Sequence, residues 1–227
     1  MDLKRSNTME IKKLFKKYNH ALVFLYGLIY MPWFLYLEKH ITKGYFLIHS
    51  PLDDYIPFVE FFVIPYLLWF VFITAGSFYL FFTDKKGFLQ MAAFLIIGMT
   101  VFLIICTVYP NGLNLRPSVF PRENIFVDLV RYVYSIDTPT NVLPSMHVFN
   151  SIGLCIGLTR TESLKNRSGI RLAIYLFTLS IILSTVFLKQ HSVTDVIAGL
   201  VLSGILYPFI YVREKKRAHR LAHQPII

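Results

Sequence analysis

Six apolar stretches follow one another along this 227-residue chain: approximately Ala21 to Leu37, Pro57 to Phe82, Phe88 to Val108, Ser145 to Leu158, Ile170 to Leu188 and Ser192 to Val212. At about 1.5 Å rise per residue, most of them reach across the roughly 30 Å hydrocarbon core of a bilayer as helices. Backbone in lipid must satisfy its own hydrogen bonds, which leaves helices as the structure for runs of this length. The fold class expected is all-α, a polytopic membrane protein built as a bundle of about six transmembrane helices. Composition agrees, because 55% apolar residues, 16% aromatic residues and a mean hydropathy of +0.54 exceed what a soluble domain of this length carries. The Ser145 to Leu158 stretch falls short of the roughly 20 residues of a full span, so it is expected to start below the outer surface.

The formal net charge of +10 is distributed between the apolar segments and not over one soluble face, which argues against nucleic acid as a partner. Lys12, Lys13, Lys16 and Lys17, then Lys85 and Lys86, then Arg160, Lys165, Arg167 and Arg171, then Arg213, Lys215, Lys216, Arg217 and Arg220 fall in alternate connections. The positive-inside rule makes these connections cytoplasmic, with both termini inside. Three parts are expected: a basic N-terminal segment 1–20, a transmembrane core 21–212 and a basic tail 213–227. Ile11, Leu14 and Phe15 set against the lysines suit an anionic inner leaflet. No small-x-small cleavage site follows the first stretch, so it reads as a retained helix. No internal repeat or Gly/Ser-rich linker divides the core. Cys106 and Cys155 lie in apolar segments without metal-site spacing and read as buried free thiols.

The long connection from Tyr109 to Leu143 contains one patterned piece. Between Glu123 and Tyr134, Asn124, Asp128 and Arg131 recur at helical spacing among Ile125, Phe126, Leu129, Val130 and Val133. This predicts a short interfacial helix between the third and fourth spans, placed to roof a site beneath it. Tyr30, Trp33, Tyr36 and Trp69 read as interface anchors and packing residues. Glu60, near the outer end of the second span, reads as an interface carboxylate that snorkels to water.

Chemistry converges on one membrane face. Tracing the spans from a cytoplasmic N-terminus puts Arg116, the PSMH segment of Pro144 to His147, and the KQHSVTD segment of Lys189 to Asp195 all at outer helix ends. His191 and Asp195, four residues apart, share one face of the sixth helix. The carboxylate can then fix one imidazole nitrogen and leave the other free as a nucleophile. The amides of Ser145, Met146 and His147 open the fourth helix, a position that attracts an anion such as phosphate. Arg116 adds a planar fork suited to phosphate oxygens.

These residues resemble the type 2 phosphatidic acid phosphatase superfamily, whose motifs run roughly K-x6-R-P, P-S-G-H and S-R-x5-H-x3-D. Here they read Tyr109 through Arg116-Pro117, then Pro144-Ser145-Met146-His147, then Ser184-Thr185 through His191 and Asp195. The resemblance implies two-step phosphoryl transfer on a lipid phosphate without metal or other cofactor. In it His191 is the nucleophile, Asp195 orients it, and His147 serves the leaving group and then the acceptor. Arg116, Ser145 and Met146 would bind the phosphate. Three positions depart from the pattern: Tyr109 stands for lysine, Thr185 for arginine and Met146 for glycine. Lys189, read as one helical turn beyond Thr185, is expected to restore the lost charge. The reduced motif set also resembles the branch of sphingomyelin and inositol phosphorylceramide synthases, which pass a phospho-headgroup to another lipid. Three readings stay open: a lipid phosphatase of the plasma membrane with its site outside, a headgroup transferase, and a non-catalytic lipid-binding or transport protein.

Overall fold

The computed structural model describes residues 16–212. Ile11, Leu14 and Phe15, the apolar positions of the basic N-terminal segment, and the tail 213–227 lie outside the described residues. A 3-10 segment, Asn19–Tyr26, runs into α1 (Gly27–His40), and together they form the first span. Pro32 sits inside α1, a placement that membrane helices tolerate. Then follow α2 (Val63–Thr83) and α3 (Lys85–Val108), joined at Asp84, whose carboxylate caps α3 by accepting from Gly87 N at 2.8 Å. The remaining helices are α4 (Ile125–Ile136), α5 (Met146–Arg160), α6 (Ser168–Phe187) and α7 (Val193–Tyr207). Pro208 cannot donate back into α7, and the chain widens there into a π-helical turn, Pro208–Val212. The protein is all-α and polytopic: among the described residues, five helical segments are long and apolar enough to cross a membrane.

The fourth of the six apolar stretches, α5, spans 15 residues, about 22 Å at helical rise. It is short because it is the axis of the bundle, packed by α2, α3, α6 and α7. Val148, Phe149, Leu154, Cys155 and Leu158 are buried along it, with Asn150 and Ser151. Close approach to α3 depends on two residues without side chains. A Cβ on Gly98 would lie 2.1 Å from Cζ of Phe149, and one on Gly153 would lie 2.7 Å from Cδ2 of Leu95. Small residues let membrane helices gain dispersion contacts that lipid cannot supply. Phe149 stacks on Phe94 at 4.7 Å in the space so created.

The connections at the site end form a cap that hydropathy did not anticipate. Two short parallel strands, β1 (Phe46–Leu47) and β2 (Asn111–Gly112), pair the first and third connections. Asn111 is fully buried. Its side-chain oxygen accepts from Val142 N and Leu143 N, both at 2.9 Å, and its carbonyl accepts from Asn141 N at 2.8 Å. One asparagine therefore fixes the approach to Pro144-Ser145. The predicted interfacial helix is present as α4, capped by Asn124 Oδ1, which accepts from Phe126 N and Val127 N at 3.0 Å. Val127, Val130 and Val133 face inward, and Val130 and Val133 pack with Val63, Tyr66 and Leu188. Glu60 does not snorkel to water as expected. It is fully buried, bonded by Asn124 Nδ2 at 3.0 Å and approached by Arg122 at 3.4 Å, and it ties the start of α2 to α4.

Replacing Gly98 with leucine should cost about 1–3 kcal/mol of stability through overpacking, read as a lower unfolding temperature in detergent. Gly169→Ala, where no atom lies within 4 Å of an added Cβ, should leave it unchanged.

Candidate active site

α6 ends at Phe187 and α7 begins at Val193, and the chain reverses in the five residues between them. Thr185 O accepts from both Gln190 N at 2.9 Å and His191 N at 3.0 Å. Lys189 takes the left-handed conformation, with φ 54°, which closes the helix end in the manner usually left to glycine. Ser192 then caps α7, and Asp195 three residues on completes a reciprocal capping box by accepting from Ser192 N at 2.9 Å. The same Asp195 Oδ2 lies 3.4 Å from His191 Nδ1, at the outer limit of a hydrogen bond. The carboxylate that stabilises the helix start is thus the one that faces the imidazole. Its other oxygen, Oδ1, is buried without a partner.

α5 brings His147 against this pair, with the two imidazole centroids 5.7 Å apart. Two aromatic rings of α2 hold His147: Tyr66 stacks at 4.6 Å and Trp69 tilts at 4.3 Å. Trp69 is therefore a packing residue of the site. Nε2 of His147 and Nε1 of Trp69 are buried without partners. The amide of Ser145, expected to be free for an anion, donates to Asp195 O at 3.1 Å. Ser145 Oγ accepts from Val148 N at 3.4 Å. The bond from Ser145 locks the start of α5 to the start of α7, and it leaves the first-turn amides of Met146 and His147 as the helix's free donors.

Arg116 joins the cluster through Gln190, the residue before His191. Its guanidinium donates to Gln190 Oε1 at 2.6 Å and to Tyr134 O at 3.2 Å, and it lies over the Tyr134 ring at 4.5 Å. Gln190 Nε2 donates onward to Asp137 Oδ2 at 3.3 Å, and Tyr66 OH donates to the same oxygen at 3.1 Å. Burial pulls the Arg116 guanidinium below its ordinary pKa, and the Asp137 carboxylate opposes that pull. The positions where the motif lacks its cations are turned elsewhere. Tyr109 stacks on Phe46 at 4.6 Å, and Thr185 is fully buried with its hydroxyl on Ile182 O at 2.8 Å.

Lys189 is not where a continuous helix would carry it. Because α6 stops at Phe187 and the backbone turns left-handed, the ammonium donates to the carbonyls of Asp53 at 2.7 Å and Ile56 at 2.5 Å. Burial lowers its pKa, with Asp53 and Asp54 acting in the other direction. Asp53 itself escaped the sequence reading. This buried residue of the first connection accepts from Ser192 Oγ at 2.6 Å, Val193 N at 2.8 Å and Ser50 N at 2.8 Å. Asp137, Gln190 and Tyr66 were missed with it. Gln190, lying directly before His191, was the one with a visible signal. Among the described residues, no group of three or more His, Cys, Asp or Glu is arranged to hold a metal ion.

A family model described as the PAP2 superfamily matches residues 91–218, more than half of the chain, and the match takes in Arg116, His147, His191 and Asp195. No curated protein and no solved structure matches the chain.

Removing the Asp53 carboxylate leaves the Ser192 hydroxyl and the Val193 amide unpaired in a buried place, at about 1–3 kcal/mol for each group. Hydrogen exchange at residues 192–194 should therefore quicken in Asp53→Ala. Asp54→Ala, whose carboxylate is exposed and meets only His49 at 3.0 Å, should leave exchange there unchanged.

Proposed function

Since the chain belongs to the PAP2 superfamily, a family of membrane phosphatases and phosphotransferases, we propose that it is a membrane-integral lipid phosphatase acting through a phosphohistidine on His191. The observation that carries this reading is the arrangement of His191 Nδ1 facing Asp195 at 3.4 Å while His147 stands 5.7 Å away, ring to ring. With Nδ1 turned to the carboxylate, Nε2 carries the free lone pair. It attacks phosphorus as the bond to the lipid oxygen breaks, and His147 gives a proton to that oxygen. A water then loses its proton to His147 and attacks phosphorus, which releases inorganic phosphate and frees His191. Arg116, with three N–H donors beyond the two already bonded, and the amides of Met146 and His147 meet the equatorial oxygens. Lys189, spent on the Asp53 and Ile56 carbonyls, acts in this reading by holding the first connection to α7.

Two observations favour a second reading, transfer of a phospho-headgroup to an alcohol or lipid. Tyr109 and Thr185 contribute no cation, and Arg116 shares its network with Asp137. One partly balanced guanidinium suits a singly charged diester better than a dianionic monoester. Purified protein given a labelled lipid phosphate should release inorganic phosphate under the first reading. Product that forms only when a second alcohol is added, from a diester donor, decides for the other.

His191→Ala and His147→Ala should each abolish turnover in folded protein, and the acid-labile phosphoenzyme should be missing from the His191 variant. Asp195→Asn should slow turnover by about 10³–10⁴-fold, the scale for an orienting carboxylate beside a histidine, with substrate binding little changed. A normal rate there would mean that something else orients His191.

The reading also sets the site on the outer face and both termini inside, since the basic connections lie at the opposite helix ends. A single cysteine in a background lacking Cys106 and Cys155 tests it. Val119 and Tyr55, 81% and 84% exposed, should react with an impermeant thiol reagent from outside, and a cysteine at Lys165 should not. The reverse pattern would turn the site toward the cytoplasm.

A further inference from the structure

α2 and α6 are joined at one end and parted at the other. Beside the site, Val59 N donates to Phe187 O at 3.1 Å, and Phe62 stacks on Phe187 at 4.5 Å. Toward the opposite end the two helices leave a cleft of about 610 Å³. Leu68, Phe72 and Ala75 of α2, Ile170 and Phe177 of α6 and Leu158 of α5 line it, with Phe72 meeting Phe177 edge-on at 5.3 Å between ring centroids. Ala75 and Gly76 are too small to close the gap, and Gly76 has no freedom to grow, because a Cβ there would meet Leu154 at 2.7 Å.

We propose that this cleft holds one acyl chain of an anionic phospholipid, drawn from the leaflet opposite the candidate active site, with the headgroup met by Arg167. Shape is the first argument. From Leu68 to Tyr79 the cleft follows α2 for about 16 Å at helical rise. That is about half of the roughly 30 Å hydrocarbon core, hence the depth of a single leaflet. Its long walls are apolar, and its polar groups, Tyr79, Ser163 and Arg167, gather at the end near the membrane surface. A long apolar slot with one polar mouth is the outline of a lipid tail and its headgroup.

Charge is the second. Arg167 lines the mouth and is exposed, and its guanidinium has no partner among the described residues. Around it the connection also carries Arg160, Lys165 and Arg171. Its one carboxylate, Glu162, already meets Lys165 at 3.3 Å. Arg167 also stands at the N-cap of the 20-residue α6, where no side chain caps the first-turn amides. A free guanidinium beside uncapped amides at a positive helix end selects an anionic headgroup over a zwitterionic one. The Tyr79 hydroxyl and Ser163 Oγ bond each other at 2.7 Å, which leaves one hydroxyl proton to donate at the same mouth.

Native mass spectrometry of the full chain, offered phosphatidylglycerol and phosphatidylcholine of the same acyl length, tests this directly. Wild type should retain one phosphatidylglycerol, preferred by about fivefold, the effect of one basic residue near an anionic surface. Arg167→Gln should bind both lipids alike, and Ala75→Trp, which fills the slot, should retain neither. Arg167 is exposed, so its substitution does not endanger folding and keeps the test valid if the tryptophan variant fails to fold. Equal binding of the two lipids by wild type, a preference that survives Arg167→Gln, or phosphatidylglycerol retained by folded Ala75→Trp would each overturn the proposal.

Discussion

Two buried carboxylates meet at one helix start, and the site end of this protein depends on how they are satisfied. A carboxylate taken out of water is costly unless donors replace the lost solvent. Ser192 supplies them to both: its amide donates to Asp195 and its hydroxyl to Asp53. The first turn of α7 adds Val193 N to the Asp53 side, and the helix dipole favours negative charge there. Asp195 faces His191, while Asp53 brings with it the first connection, the Lys189 ammonium and the Ser50 amide. Orientation of the imidazole and closure of the cap are thus one hydrogen-bonded unit.

The axis of the bundle serves the same end from inside. α5 is surrounded by helices and not by lipid, so it has no need of a full span's length or of uniform hydropathy. Asn150, Ser151 and two close-packed glycines sit where a lipid-facing helix would carry leucine. Its start is bonded to α7 through Ser145 and Asp195, and its second residue is His147. Stacking on Tyr66 and Trp69 then fixes that ring from the α2 side. Each imidazole is held by a different helix, and one backbone hydrogen bond sets the distance between those helices.

Much of this was legible because it is local. Apolar runs of membrane length mark the spans, alternating basic connections suggest their direction, and His191 still meets Asp195, although it lies before the Ser192 cap of α7 and not on the helix face that the four-residue spacing led one to expect. The interfacial helix was equally local, announced by Asn124, Asp128 and Arg131 recurring at helical spacing among Ile125, Phe126, Leu129, Val130 and Val133. What failed was long-range or depended on a helix end. Asp53 meets Ser192 across most of the core, and nothing in the run around it distinguishes it from Asp54, which is exposed. Glu60 looked like a rim carboxylate until α4 folded over it. Lys189 was misplaced by extending a helical register past Phe187, although the hydropathy of Leu188 gave no reason to stop. The amide of Ser145 looked free because its partner, a carbonyl of α7, is invisible to any pattern.

The cap also has a history written into it. β1 belongs to the connection before α2, β2 to the one after α3, and Asn111 binds residues 141–143 ahead of α5. Pairings between segments so far apart in the chain come late, because loop closure has to precede them. A membrane chain whose helices insert in order cannot form this junction until α3 is across and the approach to α5 has been made. The last partners of Asp53 arrive later still, with α7. His147, His191 and Asp195 come together only at the end of assembly, so a chain interrupted before α7 lacks the cluster.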